Sequence, residues 1–132
     1  MTLATMKMRH VGDPAQELRD KIGNLDGIEV MHNEILIAVY MRPTITAGGI
    51  HLADQTRDED RFQGKVGLVL KKGKTAFVDD EDVKFHGQDV AVGDWVAFRV
   101  MDGWQLKIAG QPCRLIQDSH IKLRVSAPDV IY

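Results

Sequence analysis

The residues able to do chemistry in this 132-residue chain are scattered rather than gathered. Five histidines, His10, His32, His51, His86 and His120, fall on no ligand spacing such as i, i+4 of a helix. They read as individual surface or half-buried side chains, and no metal site is expected. The single cysteine, Cys113, sits in an apolar stretch, which suits a small core residue. It opens no helix N-terminus that would make it a nucleophile, and alone it forms neither an intrachain disulfide nor a Cys-rich zinc site. Ser119 precedes His120, but adjacent residues on a strand point to opposite faces, so the pair is not expected to act as nucleophile and base. The acidic run Asp79-Asp80-Glu81-Asp82 lacks the spaced oxygens and following glycine of a calcium loop. It is expected to be a solvated tip balanced by Lys71, Lys72 and Lys74. Trp95 and Trp104 flank Asp102-Gly103 and could stack on single-stranded nucleic acid. The 17 basic against 19 acidic residues speak against that, and packing roles are expected instead. No phosphate loop or dinucleotide glycine pattern occurs. The residues therefore point to no catalytic group, no cofactor, no metal, and a chain that is not an enzyme.

The elements that would position any site are mostly strands. Asp13-Pro14-Ala15-Gln16 reads as a helix start, with Asp13 as N-cap, Pro14 at the first helical position and Gln16 placed for a capping box. Leu18 and Ile22 share one face, and Gly23-Asn24 ends the helix. So short a helix must dock on something to persist. From Ile35 to Tyr40 the chain is continuously apolar, which suits a strand buried on both faces or one whose second face meets another chain. Residues 41–62 lose all periodicity and contain Pro43, Gly48-Gly49 and a charged run. A loop of that length is usually functional or disordered. It nevertheless carries Ile45, Ile50 and Leu52, which a solvated linker does not need. Beyond it the pattern is β throughout. A strand runs from Val66 to Leu70, with a possible short arm at Val83 to Phe85. Strands follow at Trp95 to Val100 and Trp104 to Ile108, joined by a hairpin at Asp102-Gly103. Two more lie at Cys113 to Gln117 and Ile121 to Val125. Short, regularly spaced strands with turn signals indicate an all-β barrel or sandwich.

Hydrophobic residues make up 44% and charged residues 27% of the sequence, so gross disorder is excluded for the chain as a whole. At this length one domain with a real core is expected. No apolar run reaches membrane-spanning length, and residues 1–8 lack a signal-peptide core. A soluble protein of a reducing compartment, bound to neither membrane nor nucleic acid, is the expectation.

Thr46-Ala47-Gly48-Gly49-Ile50-His51-Leu52 resembles the mobile loop of the GroES family, the co-chaperonins or chaperonin-10, where Gly-Gly is followed by an apolar-X-apolar tripeptide. Val30-Met31-His32-Asn33-Glu34-Ile35-Leu36-Ile37 resembles the family's first strand. Gly64-Lys65-Val66-Gly67-Leu68-Val69-Leu70 resembles the strand after the loop, Val92-Gly93-Asp94-Trp95-Val96-Ala97-Phe98 a Val-Gly-Asp-x-Val-x-Phe segment, and Asp118-Ser119-His120-Ile121 the start of the last strand. His51 departs from the usual apolar middle residue. Residues 1–27 and 126–132 are not family features, and the segment 71–88, the family's roof hairpin, is longer and more charged. The same barrel occurs in medium-chain dehydrogenases, but those need zinc-binding cysteines and a nucleotide domain.

The resemblance implies an all-β, small GroES-like β-barrel over residues 28–125. Its parts would be a mobile loop at 41–62, a roof hairpin at 71–88, an N-terminal extension with a short helix at 1–27 and a tail at 126–132. It implies a homo-oligomer, a heptameric ring, that caps a GroEL-type chaperonin and closes its folding chamber in the cytoplasm. Ile50 and Leu52, with Gly48, Gly49, His51 and Ile45, would contact the chaperonin's apical domains. Ile35, Ile37 and Val39 of one subunit would meet Ile121, Leu123 and Val125 of the next. A divergent version of this kind could be virus-encoded and work in the host cytoplasm. The alternative keeps the barrel but makes it a viral structural or decoration subunit anchored by its extra termini.

Overall fold

A computed structural model describes residues 10, 12–42 and 65–131. Six strands form one antiparallel sheet: β1 (Glu34–Val39), β2 (Val66–Lys72), β3 (Trp95–Phe98), β4 (Trp104–Ile108), β5 (Gln111–Gln117) and β6 (Ile121–Val125), in the order β4-β5-β1-β2-β3-β6. One helix, α1 (Pro14–Ile22), precedes them. The all-β expectation holds.

Strand β1 explains its own sequence. It lies mid-sheet, paired with β5 on one side and β2 on the other. Because side chains alternate along a strand, its apolar run divides between two faces. Leu36, Ala38 and Tyr40 join Leu68, Trp95, Ala97 and Cys113 in one cluster. Ile35, Ile37 and Val39 join Val69, Val96, Phe98 and Ile116 in the other. Helix α1 covers the first cluster with Ala15 and Ile22, both buried, and with Leu18. Leu25, Ile28 and Ile131 also pack there. The second face of the strand is thus covered from within the same subunit.

The helix begins and ends as its residues dictate. The Asp13 carboxylate accepts from the Ala15 N–H at 3.2 Å, and Gly23 leaves the helix at φ 78° while its N–H closes on the Arg19 carbonyl at 2.9 Å. The capping box does not form: Gln16 Nε2 donates forward to Asp20 at 2.8 Å instead. The linker behind the helix is strapped to β2 by Lys71, whose ammonium donates to the carbonyls of Leu25 at 2.7 Å and Ile28 at 2.6 Å.

Two local expectations are corrected. Asp102-Gly103 is a turn but not a hairpin, since β3 pairs with β2 and β6 while β4 pairs with β5. Arg114 decides this. It is buried, it donates to the carbonyls of Val100 and Asp102, and its guanidinium lies 5.4 Å from the Phe98 ring. The crossover is thereby pinned against the sheet. The true hairpin joins β4 and β5 through Ala109 and Gly110, at φ 51° and 78°, the positive angles a two-residue turn demands. Residues 73–94 join no strand ladder, so Val83 to Phe85 is not a hairpin arm. The acidic run folds on its own backbone: Asp80 accepts from the Asp82 and Val83 N–H groups, both at 2.7 Å, and Asp79 from Phe85 at 2.7 Å. Those bonds hold the Asp80 carboxyl below its ordinary range. Lys71 and Lys72 do not balance this run, because Lys71 is committed to the linker and Lys72 to Asp89 at 2.9 Å.

Candidate functional site

The segment bearing Ile45, Gly48, Gly49, Ile50, His51 and Leu52 lies outside the described residues. The structure does describe its root. The chain leaves β1 through Tyr40, Met41 and Arg42 and returns through Lys65 into β2. The two ends stand side by side. The Tyr40 N–H donates to the Val66 carbonyl at 2.8 Å, Val39 faces Gly67 across the ladder, and the Phe98 N–H donates to the Lys65 carbonyl at 2.9 Å. Gly67 is needed there, since a Cβ would stand 2.2 Å from Ile37 Cγ2 and 2.7 Å from the Ala38 oxygen. Tyr40 is held on its own subunit by its ring and its hydroxyl. Its ring meets Trp95 edge-on at 5.8 Å, and its hydroxyl shares a 2.6 Å hydrogen bond with His10 Nε2.

The expected subunit contact is half corrected. Ile35 and Ile37 are 0% exposed and Val39 1%, and β1 has a hydrogen-bonded neighbour on each side, so no second subunit can reach them. The apolar run that suggested a contact strand is a core strand. The other half of the expected pair stands at the surface. β6 is an edge, Leu123 is 52% exposed, and Ile121 and Val125 are half-buried. Beside Ile121 and Leu123 a groove of about 700 Å³ is walled by Phe77, Val83, Phe85 and Val90. Its far wall is tied down by Asp118, a buried carboxylate that accepts from Phe77 N–H at 2.9 Å, Asn33 Nδ2 at 3.1 Å and Ser119 N–H at 2.7 Å. Residues 28–31 alternate half-buried Ile28 and Val30 with exposed Glu29 and Met31, yet belong to no strand.

The chemistry-bearing residues stay apart. Ser119 and His120 lie in a short 3-10 turn, Asp118–His120, not on a strand. Cys113 is buried, and burial pushes its thiol up to about 11, far from a thiolate at neutral pH. No group of three His, Cys, Asp or Glu residues able to hold a metal occurs among the described residues. Trp95 is buried in the core, while Trp104 is 66% exposed on edge strand β4. No helix among the described residues is long and apolar enough to cross a membrane. Sequence reasoning missed Arg114, Asp118 and the His10–Tyr40 bond. The first had a signal, a lone arginine between Cys113 and Leu115-Ile116 in a buried strand.

A sheet of this order, with a long segment hung between its two central strands, fits the resemblance seen in sequence. The family model described as "Chaperonin 10 Kd subunit" matches residues 27–124. The chain belongs to the chaperonin-10 family. It is 37% identical over 91 residues to a co-chaperonin GroES of Pelagibacter ubique, covering 69% of this chain and 88% of that protein. The co-chaperonin GroES of Geotalea uraniireducens is 32% identical and that of Geotalea daltonii 30% identical, with the same coverage. The sheet is accordingly the GroES-like barrel, and the chaperonin-10 protein described here is a co-chaperonin, a chaperone regulator rather than an enzyme. Helix α1 precedes the matched residues, and the tail beyond Val125 follows them.

Proposed function

We propose that this co-chaperonin assembles into a heptameric ring that caps a GroEL-type chaperonin in the cytoplasm and closes its folding chamber. Contact is made by the segment between Arg42 and Lys65, with Ile50 and Leu52 seated on the apical domains and Ile45 beside them. Gly48 and Gly49 supply the backbone freedom to turn into the contact, and His51 lies between the two anchors. The observation that carries the reading is the family match from residue 27 to 124, with the Gly-Gly-Ile-His-Leu run hung on a root between two core strands. Two aliphatic side chains contribute only about 1.5–3 kcal/mol each before ordering costs, so one loop binds weakly. A ring that presents several loops together binds firmly, because each attachment raises the effective concentration of the next.

For the ring itself, the exposed edge of β6 pairs with residues 28–31 of the neighbouring subunit. The charges agree, with Lys122 and Arg124 on β6 and Glu29 on the segment, and both partners lack a ladder on that side within one subunit. Head-to-tail contacts of this kind close into rings when the rotation permits. The test is refolding of a stringent substrate by a chaperonin with ATP. Ile50→Ser with Leu52→Ser should abolish lid activity and leave the ring assembled, whereas wild-type activity in the double variant refutes the loop assignment. The viral-particle alternative uses the extra N-terminal helix and the C-terminal tail as anchors. Here Ala15 and Ile22 of the extension, and Pro128 and Asp129 of the tail, are buried on their own subunit.

A further inference from the structure

The N-terminal extension lies outside the matched residues, so nothing in the family fold requires it. Several of its contacts reach the strands that flank the loop. Ala15 and Ile22 of α1 belong to the same apolar cluster as Tyr40 and Val66, the two residues that close the loop root. Ahead of the helix, His10 bonds to the Tyr40 hydroxyl at 2.6 Å, and its ring lies 5.8 Å from the Tyr40 ring. Along the helix, Arg19 covers Gly93, where a Cβ would stand 2.7 Å from its guanidinium. The Gly93 N–H and Asp94 carbonyl are bonded to Val69 of β2, the strand that receives the loop. Behind the helix, Lys71 of β2 holds the linker by the Leu25 and Ile28 carbonyls. Before α1 the extension is thus fastened to Tyr40 at the end of β1, after it to Lys71 of β2, and along it to the Gly93 turn that is bonded to β2.

We infer that the extension is a brace on the root of the chaperonin-binding loop, with His10 and Tyr40 as its positioning residues, and that it sets how tightly the ring holds its partner. The inference rests on the loop reading proposed above. A fixed root lowers the ordering cost of whatever the loop does on binding, while a loosened root lengthens the free segment and dilutes its tip. One neutral hydrogen bond is worth about two- to tenfold in an equilibrium. A loss of about twofold per loop, repeated over several loops that bind together, compounds to at least about tenfold for the ring.

The experiment compares the full-length wild type with His10→Ala, Tyr40→Phe, their double variant and His10→Gln. Gln places an amide, able to donate or accept, near the position of His10 Nε2. Two quantities are read: affinity of the assembled ring for a GroEL-type chaperonin with nucleotide, and hydrogen exchange of the Tyr40 amide in the free protein. The brace predicts at least about tenfold weaker binding for each single variant, no further loss in the double variant, and recovery in His10→Gln. It also predicts about two- to tenfold faster exchange at Tyr40 in both single variants, because the bond that they remove is worth that much. Binding within twofold of wild type in both single variants overturns it, as do losses that simply add in the double variant. If the wild type binds no chaperonin, the loop reading falls, and the brace is then decided by exchange alone: unchanged exchange at Tyr40 refutes it and faster exchange upholds it.

Discussion

Replacing Ile37 by Ala separates a core strand from a contact strand. Ile37 is 0% exposed and packs among Val69, Val96, Phe98 and Ile116 in one of the two apolar clusters. The substitution removes three carbons, worth about 2–2.5 kcal/mol at roughly 0.8 kcal/mol each. The void left in a rigid sheet raises the total to about 3–5 kcal/mol. With a urea slope of about 1–3 kcal/mol per molar, the unfolding midpoint falls by roughly 1–5 M. The assay is urea unfolding followed by circular dichroism at fixed protomer concentration, with sedimentation of the native material alongside. The expected result is a large loss of stability with assembly unchanged below the transition. An unchanged midpoint together with dissociation of the ring would refute the burial argument and return Ile37 to the interface. Gly67 supplies an internal control. Gly67→Ala places a methyl 2.2 Å from Ile37 Cγ2 and 2.7 Å from the Ala38 oxygen, so alone it destabilises by about 1–3 kcal/mol. In the Ile37→Ala background the first obstacle is gone and the Ala38 carbonyl remains, so the two losses must sum to more than the double variant shows.

Leu123→Asp places a charge on the exposed edge of β6. Sedimentation should show subunits in place of rings, with circular dichroism unchanged, and an intact ring would move the contact elsewhere. Asp102 accepts from Arg99 Nε at 2.9 Å and Nη2 at 3.0 Å, and those bonds, opposed by burial, hold its carboxyl below the ordinary value of 3.8. A carboxylate with a depressed folded-state pKa stabilises fully above its unfolded value, and the contribution is lost as pH falls through the folded one. Asp102→Asn should therefore flatten the fall in thermal midpoint below about pH 4. Cys113, raised to about 11 by burial, should resist a thiol reagent at neutral pH until denaturant is added, and rapid native labelling would contradict its burial.

Local signals were legible where a few neighbouring residues decide the outcome. Asp13, Pro14 and Gly23 mark the ends of α1, and the unbroken apolar run of β1 announces two covered faces. What covers the second face was not legible, since the sequence offered both a docked helix and another chain. Strand partners were the weak point. Asp102-Gly103 has hairpin chemistry, yet Arg114, twelve residues on in sequence from Asp102, holds the crossover in place. A turn signal reports how the backbone bends, not which edge the next strand meets. The placement of the subunit contact on Ile35, Ile37 and Val39 failed for a related reason, because an apolar run looks the same whether it faces a core or a neighbour. Edge position separates the two, and edge position is a property of the whole sheet.

That distinction also limits where function can sit. A strand buried on both faces has no surface to offer, so β1 can act only through what is attached to its ends. At one end, residues 28–31 approach without a ladder partner. At the other, Tyr40 begins the root of the loop. The proposed ring contact and the proposed chaperonin contact are thus carried by the two ends of a buried strand in the middle of the sheet. The extension that caps one face of β1 by α1, and bonds to Tyr40 through His10, is fastened where both connections can be stiffened at once.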